Sequence, residues 1–458
     1  MQAADIAWIL TAIALVAIMF PGLAFLYGGM LGSGQVLNMF MMVMSSLAVA
    51  TVVYVAVGHG LVTGNSVGGL GLIGNPSEWL FFSNAMNDDD SGAALWGAFN
   101  VLFAGISLAL VASGAAGRMK FWAWLIFGAV WILVVYAPLA HWVFAFDDPD
   151  AGTVGGWLAN RIGFHDFAGG TAIHMNAGAA GLALALVLGP RRGGPARPHN
   201  LPLTLFGAGM LMVGWLGFNG GTAGGANFTA TYVVLTSLLA AGGGMLGFAV
   251  VEKLRNGRST LLGLATGVIA GLVGITPAAD AVNPFGALAV GVLAAAAAAW
   301  AITWKNRHGI DDSLDVFAVH GIAGIAGVLF VTFLGDDRAP AGIRGALLGG
   351  EVSQIWREAL AILVTLTWSL GVTWLLAKAM SLVVDIRISR EEEDAGIDRA
   401  VHSEYGYDLR MTSAFGLSTR PAEDPADTVS DRRAAAPAPV VTTAPVVTTA
   451  QADLKEQK

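Results

Sequence analysis

Two histidines carry the sharpest chemical signal in this chain. His174 and His320 each sit well inside a run of apolar residues, where an ionisable group is costly and usually lines a pathway rather than facing lipid. Their frames match: His174-Met-Asn-Ala-Gly-Ala-Ala-Gly181 and His320-Gly-Ile-Ala-Gly-Ile-Ala-Gly327 both read H-x-x-A-G-x-A-G. A neutral imidazole offers one donor and one acceptor nitrogen, so two in contact share a proton and suit a small base or a proton relay. Two readings compete with this one. The histidines can be separate core residues bonded to backbone carbonyls, or a bis-histidine haem site, which demands an axial geometry fixed by the cofactor.

Carboxylates flank both. Asp166 stands about 12 Å before His174 and Asp315 about 8 Å before His320, at 1.5 Å of rise per residue. Helix capping is the plain reading of each, and Asp166 can also favour an approaching cation. Aromatic pairs fall at helical spacing, Phe99 with Phe103 and Trp215 with Phe218. Ring faces attract poorly solvated cations, although such a stripe equally serves packing.

The elements that position these residues are apolar spans. Of 458 residues, 55% are hydrophobic and only 12% charged, and no Asp, Glu, Lys or Arg occurs from Ile6 to Ser77 or from Pro198 to Val251. So few charges cannot clothe a soluble surface, and about 20 apolar residues suffice for one crossing. Disordered chains, disulfide scaffolds and nucleic-acid binders are thereby excluded. The absence of cysteine removes thiolate chemistry and Cys-ligated metal. Eleven spans are expected, at roughly 5–31, 37–61, 92–115, 120–145, 167–189, 201–221, 227–252, 260–277, 284–304, 316–335 and 356–384. The fold class is an all-α polytopic membrane protein. The 61 glycines fit helices packed through small residues.

The matched histidine frames lie five spans apart, and Gly22…Gly28-Gly29 is echoed by Gly214…Gly220-Gly221. An odd offset reverses the direction of travel, so spans 1–5 and 6–10 form an inverted repeat, with a site at their interface and an eleventh helix added. Basic residues collect in alternate loops (Arg118 and Lys120; Arg191, Arg192 and Arg197; Lys253, Arg255 and Arg258; Lys305 and Arg307), whereas the opposite loops hold acidic clusters at Asp88–Asp90 and Asp147–Asp150. That asymmetry puts the N-terminus outside and the C-terminus in the cytoplasm. The expected organisation is a membrane domain over 1–385, a cytoplasmic segment over 386–417 and a disordered low-complexity tail over 418–458.

These residues resemble the ammonium transporter family, in its bacterial branch. The resemblance rests on Asp166-Phe-Ala-Gly-Gly-Thr-Ala-Ile-His174-Met-Asn, Asp315-Val-Phe-Ala-Val-His320-Gly, Gly214-Trp-Leu-Gly-Phe218-Asn-Gly-Gly and Pro21-Gly-Leu-Ala-Phe-Leu-Tyr-Gly-Gly29, and runs from about 5 to 408. It implies a transporter, not an enzyme, that needs no cofactor and forms a homotrimer with one pore per protomer. Its substrates are ammonium, ammonia and methylammonium. By the same resemblance His174 and His320 are the twin pore histidines, and Phe103 and Phe218 form a stacked gate. An external ammonium site falls on Phe103, Phe144 and Thr222, with Asp166 as its support, while Phe99, Trp215 and Asp315 are secondary. The sequence departs from the common pattern at Phe144, where tryptophan is usual, and at Thr222, where serine is. Trp142 or Trp157 is expected to supply an indole if loop 145–165 folds differently. The 386–408 segment matches one that docks a PII-type signal protein. Rival readings are an ammonium sensor with little flux, a neutral-gas facilitator for carbon dioxide, and a haem oxidoreductase.

Overall fold

The computed structural model describes residues 1–86, 91–192, 194 and 197–407; the acidic cluster 88–90 and the tail expectations beyond 407 lie outside them. The described residues are helical, without a strand. Among the described residues, ten helices are long and apolar enough to cross a membrane: α1 (Ala3–Met30), α2 (Ser33–Thr63), α3 (Gly92–Ala115), α4 (Phe121–Phe144), α5 (Gly170–Leu188), α6 (Leu201–Thr222), α7 (Phe228–Asn256), α9 (Pro284–Arg307), α10 (Phe317–Leu334) and α11 (Val352–Val383). A shorter apolar helix, α8 (Leu261–Ile275), lies between α7 and α9. Two short polar helices follow, α12 (Arg390–Ala395) and α13 (Ile397–His402).

The apolar residues divide between two surroundings. Leu10, Val52, Trp122, Leu254, Leu363 and Leu382 are exposed, as expected of a surface that faces acyl chains. Inside, close approach depends on missing side chains. A Cβ on Gly114 of α3 would collide with the Gly181 backbone of α5, and one on Gly327 of α10 with the Gly274 carbonyl of α8. These two contacts are repeat equivalents, since α3 answers to α8 and α5 to α10. At the interface of the halves, a Cβ on Gly178 would sit 2.5 Å from the Gly321 amide. The glycine echo noted between α1 and α6 works the same way: a Cβ on Gly22 would lie 2.9 Å from Met210 Cβ and 3.3 Å from the Gly207 carbonyl.

One end of the bundle is closed by charge. Arg118, fully buried, donates to the Gly189 and Gly114 carbonyls at 2.8 Å each and sits 3.6 Å from Asp311. Burial lowers its pKa to about 10, with Asp311 opposing the fall. The chain after α11 returns to this end. Lys120 N donates to Ile386 and Ile388 N to Arg118. Asp398 accepts from the amides of Leu37 and Asn38 at 3.0 and 2.8 Å, capping α2 from far along the sequence where no local side chain does so.

Candidate functional site

The two histidines come together because the backbone departs from the α-helix at both. His174 lies in a π-helical turn, Gly170–Met175, and His320 in another, Phe317–Ile322. Such turns widen a helix by one residue and recur at functional sites. Here they direct both rings to the interface of the halves, with the two Nδ1 atoms 3.2 Å apart. One of these nitrogens must carry the hydrogen and the other accept it. Each ring then turns its Nε2 outward, and the shared proton makes one Nε2 a donor and the other an acceptor. His174 Nε2 is buried and has no hydrogen-bond partner.

Both rings line a small cavity of about 10 Å³ with Met19, Leu23, Ile106, Leu110, Leu211, Trp215 and Phe218, at the lower limit for one water-sized guest. Trp215 stacks on His174 at 5.1 Å and 22°, and its N–H is turned away to Thr276 Oγ1 at 2.9 Å. The remaining wall is hydrocarbon.

Above this cavity Phe103 and Phe218 lie face to face, with centroids 4.3 Å apart at 14°. Phe103 forms the floor of a second, much larger cavity of about 820 Å³. Phe99, Phe144, Thr222, Asp166, Trp79 and Trp96 also line this vestibule. Trp96 meets Phe99 edge-on at 5.8 Å, Phe99 meets Phe103 at 4.7 Å, and Phe218 meets His174 at 5.8 Å. A ladder of rings therefore runs from vestibule to histidines. Thr222 Oγ1 donates to its own helix at the Phe218 carbonyl, 2.9 Å away, which leaves oxygen lone pairs for a donor in the vestibule.

Asp166 does not present a free charge. Its carboxylate accepts from Gly169 N and Gly170 N at 2.9 and 2.7 Å, from Thr171 N at 2.7 Å and from the Thr171 hydroxyl. It caps α5 and fixes the π turn that follows. Asp315 was expected to cap α10 in the same manner, and it does not. Its backbone is left-handed (φ 58°) and its side chain pairs with Lys305. Asp312 makes the cap, accepting from Val316 N at 3.2 Å and Phe317 N at 2.9 Å.

The indole expectation is also corrected. Trp142 donates its N–H to the Leu72 carbonyl at 2.7 Å and packs against Trp157 and Trp368; neither Trp142 nor Trp157 lines the vestibule. Trp79 and Trp96 do, and sequence reasoning passed over both. Trp96 was within reach, since it precedes Phe99 by three residues on one helix face. Trp79 was not, because its loop returns over the mouth only through tertiary contacts with His59.

Comparison with known proteins yields a consistent set of relatives. The profile of the Ammonium Transporter Family matches residues 7–407. A protein of Corynebacterium glutamicum described as an ammonium transporter is 61% identical over 434 residues, covering 94% of this chain and 96% of that one. The crystal structure of Saccharomyces cerevisiae Mep2 superposes with a TM-score of 0.76 at 30% identity, covering 85% of this chain and 88% of its own. A solved structure described as a sensor Amt protein gives 0.78 at 26% identity, covering 87% and 98%.

Proposed function

We propose, from the premise that this chain belongs to the bacterial branch of the ammonium transporter family and carries ammonium across a membrane, that ammonium gives up its proton to water in the vestibule, passes the histidines as ammonia and takes a proton from water on the far side. The observation that carries this reading is the pair of imidazoles 3.2 Å apart, lining one narrow, largely apolar cavity behind two stacked rings.

A monovalent ion in that cavity would exchange its hydration shell for hydrocarbon walls, a penalty of several kcal/mol or more. Potassium has no means of avoiding it. Ammonium has one, because it can lose a proton. The vestibule at Phe103, Phe144 and Thr222 receives the cation through ring faces and one hydroxyl oxygen, and Asp166 holds the start of α5 in place. Past the Phe103–Phe218 stack, the outward acceptor nitrogen of the histidine pair takes an N–H of ammonia, and the outward donor serves its lone pair. The neutral guest thus finds two partners in a wall that offers an ion too few to replace its hydration shell.

Counting α8 as a crossing gives eleven, which puts the termini on opposite sides. The basic loops support a vestibule outside and a C-terminus in the cytoplasm, and the resemblance supports the inner membrane of the cell as its location. Three further parts of this reading rest on family resemblance: a homotrimer, a pore in each protomer, and a PII-type partner for the segment from 386. The docking of Asp398 on α2 supports a regulatory role for that segment. Residues 1–385 would be the transport domain.

Methylammonium uptake into proteoliposomes tests the mechanism, with potassium as the control cation. His174→Ala should lower uptake without admitting potassium. Unchanged uptake would overturn the histidine scheme.

A further inference from the structure

The vestibule holds a carboxylate that this mechanism does not use. Asp280 lies in the turn after α8, and that turn is sewn to the residues before α5: Phe167 N donates to the Pro277 carbonyl and Ala168 N to Thr276, both at 3.2 Å. The pairing brings His165 Nε2 to 2.9 Å from Asp280 Oδ1, although 115 residues separate them. Both side chains line the vestibule together with Phe103, Phe144 and Thr222.

We infer that Asp280 is a cation-recruiting residue of this vestibule and that His165 is its titratable counter-charge. The inference rests on the transport reading above and goes beyond it, since it assigns how strongly the mouth attracts its substrate. Asp166 cannot fill this role, because four donors already occupy its oxygens. Asp280 meets one donor side chain, and that donor can lose its charge.

Other charged groups surround the pair. Asp166 is the neighbour of His165 in sequence, and Glu358 approaches from α11, beside Arg357, which reaches Gly163. Asp336 touches the same turn through Ala281, but Arg338 neutralises it by a double contact at 2.9 and 2.6 Å. Met1 and His59 line the cavity from other sides. Burial opposes protonation of His165, and the Asp280 carboxylate outweighs it, with Asp166 and Glu358 adding to the effect; the imidazole pKa is therefore raised. Below that raised value the pair is an imidazolium beside a carboxylate, neutral overall. As pH climbs through it the imidazolium is lost, Asp280 is left uncompensated, and a passing monovalent cation is drawn in.

The test is the KM of methylammonium uptake by the full chain in lipid vesicles, from about pH 6 to about pH 8, a range spanning imidazole titration, in which methylammonium stays protonated. The wild-type KM should fall as pH rises, by roughly three- to tenfold for one charge at the wall of a wet cavity, with kcat much less affected. His165→Gln should give the low KM already at about pH 6 and a flat profile. Asp280→Asn should give a high KM, also flat. Opposite shifts from the two partners of one contact are not what simple disruption produces. A pH-independent wild-type KM, or both variants shifting KM in one direction, would overturn the assignment. The wild-type profile needs no variant to fold, and a wild type without any uptake would strike the transport reading instead.

Discussion

The starts of α5 and α10 are the same device set in two different environments. Asp166 precedes His174 by eight residues and Asp312 precedes His320 by eight. Each carboxylate caps the helix whose first turn is π and whose histidine enters the pore. Around Asp166 the neighbours are aromatic rings and the single His165–Asp280 pair, and the space is a cavity of about 820 Å³. Around Asp312 they are charged: Lys305 bonds its carbonyl, and Asp315, Asp311, Arg118 and Arg191 crowd beside it. The repeat therefore conserves the part that aims an imidazole and leaves free the part that meets solvent. One mouth can be built to gather cations while the other binds the returning chain after α11.

If the two halves contribute one shared proton position, their histidines must fail together. His174→Ala should reduce methylammonium uptake on the order of 10³-fold, the middle of the range for a group that holds or moves a proton. His320→Ala should do nearly the same. The double variant should be little worse than either, because residues that act as a unit are not additive. Losses that multiply in the double variant would show two independent sites and break the symmetry.

The caps offer the next contrast. Asp166→Ala orphans three buried amides and a hydroxyl, a cost of about 2–4 kcal/mol, read as a lower melting temperature in detergent. Asp312→Ala orphans two and should cost about 1–2 kcal/mol. Asp315→Asn touches neither set of amides and should leave the start of α10 intact, but it takes the carboxylate from the buried Lys305 ammonium, a loss of about 3–5 kcal/mol. Uptake separates the two: a loss of transport in Asp315→Asn as large as in Asp312→Ala would mean that the cap is not what positions His320.

What the sequence makes legible follows from distance along the chain. The apolar spans, the histidine frames and Asp166 are short-range patterns, and each is readable from a window of about 20 residues. The π turn at Phe317–Ile322 is less visible. It let Asp315, three residues nearer the helix, look like the partner of Asp166 when Asp312 holds the matching place. Contacts that close over long separations leave no local trace. His165 finds Asp280 because an irregular segment pairs with a turn across the repeat interface. Trp142 is led away from the pore by the Leu72 carbonyl, 70 residues distant. Neither could be read from periodicity.

The smallest effect belongs to the top of the ring ladder. Trp96 lies in the vestibule, one edge contact above Phe99 and two rings above the Phe103–Phe218 stack. It touches no histidine, so it cannot alter the passage of a neutral guest. Its face can only hold a cation before the proton leaves, an interaction of about 1 kcal/mol where water still reaches. Trp96→Leu should accordingly raise the KM for methylammonium about fivefold and spare kcat, while Trp96→Phe, which keeps a ring, should lie between the two. A fall in kcat with unchanged KM would place Trp96 with the gate rather than with capture.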